Sequence, residues 1–340
     1  MSTKQICLIP KIQTIGGTAS FQQKFAAGLE SRGITVTHDP NDRQNDVVLV
    51  IGGTRHIPAL IRAKKRGVPI IQRLDGMNWL HRVRFTGVRH FLRAEYGNLN
   101  LSYILRKIAD TVVFQSEFAR DWWYKTDRLD DLPDSVIYNG VDLEYYSPDG
   151  PEERPDDICR LLVVEGRLTG GYESGLEIAI QLAGILVEQH GLPIELMLVG
   201  NVPERVRQRS DKQSNVTLRW AGLVPSEDIP YYDRSAHILY AADINPACPN
   251  SVIEALACGL PVAAFDTGAL PELVQGDAGR VIAYGGDPWK LDPPDLPALA
   301  AACEDIFHRQ KKYRTAARAR AEEVFSLDDM VEKYLQVLSL

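Results

Sequence analysis

The residues best placed to do chemistry lie between Asn245 and Leu273, in the stretch NPACPNSVIEALACGLPVAAFDTGALPEL. Pro249-Asn250-Ser251 reads as a helix start, because Asn250 or Ser251 can cap and proline suits a first turn. Val252–Cys258 is then a short buried helix stopped by Gly259. The amides of Asn250, Ser251 and Val252 at such a start attract an anion. Glu254, one turn inside, can accept hydrogen bonds from the two hydroxyls of a ribose. The same carboxylate fits a plainer role, since Ser251-x-x-Glu254 has the spacing of a capping box. Pro261–Phe265 is a buried strand, Asp266-Thr267-Gly268-Ala269 a loop, and Leu270-Pro271-Glu272 the opening of another helix. Gly268 lets a ligand come close to the backbone. Together these features describe a site for a nucleotide diphosphate.

Other positions have two readings each. Gly16-Gly17 follows a first strand, but the G-x-G-x-x-G spacing is absent, which removes a dinucleotide fingerprint. The pair is either a tight strand-to-helix turn or a place where backbone approaches a ligand. Asp75 ends Ile71-Gln72-Arg73-Leu74-Asp75-Gly76 and either binds sugar hydroxyls or caps the following segment. Arg167 lies just beyond the strand 160–165 and either neutralises a phosphate or forms a surface ion pair. Cys248 has no partnered histidine nearby, so packing explains it.

The elements that must hold these residues alternate strand and helix. In the first half, strands read at 5–9, 34–38, 47–51, 68–72, 111–114 and 135–138, with helices at 19–31, 58–66 and 116–124. In the second, strands read at 160–165, 194–199, 216–218, 237–240, 262–265 and 280–283, with a helix at 173–189. That rhythm predicts parallel, doubly wound sheets whose ligands sit at the strand carboxyl ends. A chain of 340 residues suits two such domains. The acidic, Gly- and Pro-bearing stretch Asp149–Asp157 has linker composition, which divides the chain into 1–149 and 150–325. A last helix, 326–340, has an apolar face of Val331, Tyr334, Leu335 and Leu338.

Composition narrows the partners. Apolar content of 45% and charged content of 24% belong to a globular domain. A net charge of −7 argues against nucleic acid. No apolar run is long enough to cross a membrane, and the start MSTKQICLIP has no signal-peptide pattern. Five cysteines without ligand spacing suit free thiols in a reducing cytoplasm and predict no metal site. Residues 81–107 stand out: Arg82, Arg84, Arg89, Arg93, Arg106 and Lys107 face a single acid, Glu95, with Trp79, Phe85 and Phe91 interleaved or adjacent. This is either a solvated face or a surface for an anionic acceptor or a membrane. No clean helical stripe is visible in it.

The central stretch resembles the nucleotide-sugar signature of the retaining GT-B glycosyltransferases, and of glycosyltransferase family 4 in particular. Glu254, Gly259, Pro261, Val262, Gly268, Pro271 and Glu272 match that signature. A second match is Val136-Ile137-Tyr138-Asn139-Gly140-Val141-Asp142 through Pro148, which resembles the end of the family's first domain. Three positions depart from the pattern. The family's first glutamate falls at Pro246, where Asp243 or Asn245 could replace it, its phosphate-binding lysine at Tyr172, and its histidine near the donor sugar at Asp75. The resemblance implies two Rossmann-like domains facing across a cleft, with the C-terminal helix crossing back to the first. It implies metal-independent transfer from a nucleotide-diphosphate sugar, UDP- or GDP-linked with UDP favoured, to a glycan, lipid-linked or small-molecule acceptor, as in polysaccharide biosynthesis. Arg167 and the 250–252 amides would hold the diphosphate, Glu254 the ribose, Gly268 the sugar, and Gly16, Gly17 and Asp75 the reacting groups. The three departures also fit a non-catalytic nucleotide- or glycan-binding relative.

Overall fold

Runs of apolar residues buried on both faces make the strands of two parallel sheets. The computed structural model describes residues 4–12, 16–127, 132–167 and 173–339, with Arg167 and Glu173 described by their backbone alone. Two units emerge, residues 1–140 with 327–340, and 141–326.

The first unit contains β1 (Gln5–Ile9), α1 (Gly17–Glu30), β2 (Thr35–Thr37), β3 (Val47–Ile51), α2 (Ile57–Lys65), β4 (Ile70–Leu74), α3 (Leu80–Val83), α4 (Val88–Lys107), β5 (Thr111–Phe114), α5 (Glu117–Thr126) and β6 (Asp134–Val136). Its strands run parallel in the order β2-β1-β3-β4-β5-β6. QICLI, VVLVI and IIQRL are buried throughout, as both-sided cover by helices requires. The polar members of β4 are satisfied in part. Gln72 Nε2 donates to Gly52 O at 2.9 Å, and Arg73 Nη2 donates to Asn139 Oδ1 at 2.6 Å.

The second unit contains β7 (Cys159–Arg167), α6 (Glu173–Glu188), β8 (Ile194–Asn201), α7 (Glu204–Gln213), β9 (Thr217–Gly222), α8 (Ile229–Arg234), β10 (Ile238–Tyr240), α9 (Asn250–Ala257), β11 (Val262–Phe265), α10 (Leu270–Leu273), β12 (Gly279–Ile282), α11 (Leu296–His308) and α12 (Gln310–Val324). Its parallel order is β12-β11-β10-β7-β8-β9. Both sheets are therefore doubly wound, as the strand-helix rhythm predicts.

The last helix, α13 (Leu327–Leu338), packs within the first unit. Tyr334 lies on Phe25 and Phe21, with ring centroids 4.9 and 5.4 Å apart. Gly28 makes room for it, since a Cβ there would stand 2.7 Å from Val331 Cγ2. Arg32 pairs with Asp328 at 3.0 Å and Glu332 at 2.8 Å.

Two local readings need correction. Residues 141–149 belong to the second unit and not the first. The Tyr145 and Tyr146 hydroxyls donate to Glu227 O and Ser226 O, and Arg318 donates to Leu143 O and Tyr146 O. Residues 88–107, where the sequence shows no clean stripe, form one 20-residue helix, α4.

Candidate functional site

Each sheet reverses its order at one point, between β1 and β3 in the first and between β7 and β10 in the second. Loops leaving the strand carboxyl ends diverge there and open a crevice for a ligand. The residues singled out from sequence fall on these two rims.

On the first rim, Gly17 opens α1 and Gly16 precedes it at φ 144°, with no side-chain cap. Gly53 follows β3 beside a pocket of about 480 Å³ lined by Pro10, Thr54, Arg55, His56 and Tyr96. Asp75 follows β4, and its carbonyl accepts from Trp123 Nε1 at 2.6 Å. It does not cap the next helix, because Trp79 occupies the N-cap of α3. Burial raises the Asp75 carboxyl above its ordinary range, and the Arg73 guanidinium opposes that rise. Arg73 itself is 2% exposed, lies 3.6 Å over the Phe21 ring, and leaves Nε without a partner.

On the second rim, β7 ends at Arg167, whose backbone pairs with Asn201 of β8 after a register shift. The Arg167 side chain and Tyr172 lie outside what the structure describes. Helix α9 starts at Asn250, with Pro249 as its N-cap in extended geometry. Neither Asn250 nor Ser251 is therefore the cap, and Ser251-x-x-Glu254 lacks the capping-box register. The reason is that Pro249, at φ −69° and ψ 120°, already holds the half-in conformation of an N-cap. Asn250, Ser251 and Val252 become the first three helical residues, whose amides have no acceptor within the helix. Glu254 sits one turn on and is 8% exposed; burial raises the pKa values of Asp233, Tyr146 and Cys258, and the Glu254 charge adds to the rise.

Gly268 is clasped against the loop before α9. Ala269 N donates to Pro246 O at 2.8 Å, and Asn245 N donates to Thr267 Oγ1 at 3.5 Å. A Cβ on Gly268 would stand 2.4 Å from Pro246 N and O. The structure thus brings together the Asn250–Glu254 helix start, Pro246 and Gly268 on one rim.

Two features there go beyond the sequence reading of Asp243 and Asn245. Asn245, six per cent exposed, has a φ of 56°, and its Nδ2 is buried without a partner. Left-handed backbone and an unmet buried donor each cost stability, a combination found at functional sites. Second, Glu165 at the end of β7 and Asp243 beyond β10 interact across the switch point. Burial raises both carboxyls, and Asp243 raises Glu165 further. For Glu165 the sequence signal was a lone acid closing the apolar run of β7. All five cysteines are buried and none forms a disulfide, which agrees with packing as the role of Cys248. Among the described residues no cluster could hold a metal, and no helix is long and apolar enough to cross a membrane.

Residues 159–308 match the family of Glycosyl transferases group 1, so the second unit carries a domain of that kind. The O-antigen chain mannosyltransferase B of Escherichia coli is 34% identical over 84 residues, 25% of this chain. The match spans 19% of that relative's own length. Sucrose-phosphate synthase from Thermosynechococcus elongatus superposes with a TM-score of 0.72 at 17% identity, covering 98% of each chain. The Anabaena protein HepE, in complex with UDP-glucose, gives 0.71 at 16% identity over 98% of this chain and 99% of its own. At such low identity these likenesses speak for the fold, which is the two-sheet GT-B architecture.

Proposed function

We infer that this protein is a glycosyltransferase that moves a sugar, with retention, from a nucleotide-diphosphate sugar to a glycan, lipid-linked or small-molecule acceptor. The observation that carries this reading is the second rim, where the α9 start, a buried glutamate and a clasped glycine loop meet on a group 1 domain. The leaving group is a nucleotide diphosphate, and its growing charge needs neutralising. Arg167 and the amides of Asn250, Ser251 and Val252 supply positive charge without a metal. Glu254 takes the ribose hydroxyls. The Gly268 loop holds the sugar, with Asn245 Nδ2 as a further donor to it and Asp243 as an acceptor. Gly16, Gly17 and Asp75 serve the reacting end. The acceptor attacks on the leaving-group face, and the departing phosphate takes its proton. A uridine donor is favoured, since the Anabaena neighbour holds UDP-glucose.

The competing reading is a non-catalytic binder, and the departures at Asp75, Tyr172 and Pro246 favour it. Thermal denaturation with UDP, GDP, ADP and their sugars tests donor binding. Ligand at 100 times its dissociation constant adds about 2.7 kcal/mol. A shift with one nucleotide, together with sugar transfer abolished by Arg167→Ala, supports the enzyme. Binding without turnover supports a nucleotide binder, and no shift at all supports a non-catalytic glycan binder.

A further inference from the structure

Helix α4 carries an apolar stripe on the side opposite its buried one. Val88, Leu92, Tyr96, Leu99 and Tyr103 fall at i, i+4, i+8, i+11 and i+15, within an arc of about 80°. All five are exposed, Leu99 by 68%. The residues that hold α4 to the fold, Ala94, Asn98, Leu101, Ile104 and Leu105, lie on the far side of the helix. The stripe runs for about 22 Å and is extended by Phe85, 87% exposed, just before the helix. An exposed apolar surface of this length on one helix has no role in the fold.

Charge says what covers it. Arg89, Arg93 and Lys107 project along one flank of the stripe, with Arg84 beside Phe85. None of these four forms an ion pair among the described residues. The single acid of the region, Glu95, is already taken by Arg82 at 2.6 Å and His81 at 2.7 Å. On the same flank, Tyr96 is shared with the pocket at the first sheet's switch point, which also carries Arg55 and His56. A second copy meeting this face symmetrically would set arginine rows against each other. An anionic bilayer would match both parts, with acyl chains for the stripe and headgroups for the arginines.

We propose that α4 and the segment 83–85 form a peripheral membrane-docking face for anionic bilayers, with the pocket beside Tyr96 opening at headgroup level. Sedimentation with vesicles tests it on the whole chain, and needs no donor, so it stands apart from the transfer reading. The protein should sediment with phosphatidylcholine vesicles containing phosphatidylglycerol, less with phosphatidylcholine alone, and be released by salt. Leu92→Glu with Leu99→Glu should abolish binding, and Arg89→Glu with Arg93→Glu should weaken it at least about tenfold. Because the glutamate variants can misfold, a Leu99→Trp variant gives a second readout, and brominated acyl chains should quench its added fluorescence. Failure to bind phosphatidylglycerol vesicles, binding indifferent to both double variants, or no added quenching overturns the proposal. So does a lipid-free dimer that Leu92→Glu with Leu99→Glu converts to monomer, which would assign the face to self-association.

Discussion

Replacing Gly268 with alanine should damage the second rim through the backbone alone, and Gly276 provides a matched control. The two glycines have nearly the same backbone, with φ of 57° and 58°. An added Cβ at Gly276 meets nothing within 4 Å, whereas at Gly268 it would stand 2.4 Å from Pro246 N and O. Left-handed backbone costs an alanine about 1–2 kcal/mol at either position. At Gly276 that is the whole expected cost. At Gly268 the loop must also retreat and open the 2.8 Å bond from Ala269 N to Pro246 O, adding about 1–2 kcal/mol. The sum is about 2–4 kcal/mol, or roughly 4–16 °C in Tm for a unit of this size. Scanning calorimetry of both variants, alone and with UDP or UDP-glucose, reads the two effects. Gly268→Ala should fall further than Gly276→Ala and lose the extra stabilisation that the glucose gives over UDP. Equal destabilisation by the two alanines would refute the clasp. A full glucose increment in Gly268→Ala would refute the loop's place in the sugar site.

Other outcomes follow from burial and charge. Glu165 has a folded pKa above its unfolded value, because burial and Asp243 disfavour its charge. Its contribution is therefore complete below the ordinary glutamate range and is lost as pH rises through the raised value. Glu165→Gln should leave stability at pH 5 nearly unchanged and gain about 1–3 kcal/mol over the native protein by pH 9, measured by urea unfolding. Tyr334→Ala removes a fully buried ring from the contact of α13 with Phe21 and Phe25, and should cost about 3–5 kcal/mol in calorimetry. Asn245→Ala relieves an unmet donor but leaves its φ of 56°, so it should change stability by less than about 1 kcal/mol. In a donor-binding assay the same change should weaken UDP-glucose more than UDP.

The strands were legible because a parallel sheet covered on both faces demands unbroken apolar runs, and Val47–Ile51 or Val262–Phe265 can be little else. Helix α4 was hidden for the opposite reason. Its exposed stripe and its buried stripe are both apolar, so the two cancel the one-sided pattern that marks a surface helix. The start of α9 was misplaced by two residues because proline at an N-cap offers no side-chain signal. The pairing of Glu165 with Asp243 needed the knowledge that β10 lies beside β7, and strand order is not written in local sequence. That pairing bears on the three departures from the family pattern. Pro246 carries no side-chain acceptor where a glutamate is expected, yet Asn245, Asp243 and Glu165 place polar groups around the same switch point. Each is held at a cost, in left-handed backbone, an unmet amide or a buried like-charged pair. A chain that only kept its fold would be more stable with apolar residues there. The cost argues that polar groups have moved around the site rather than left it, which favours transfer over passive binding.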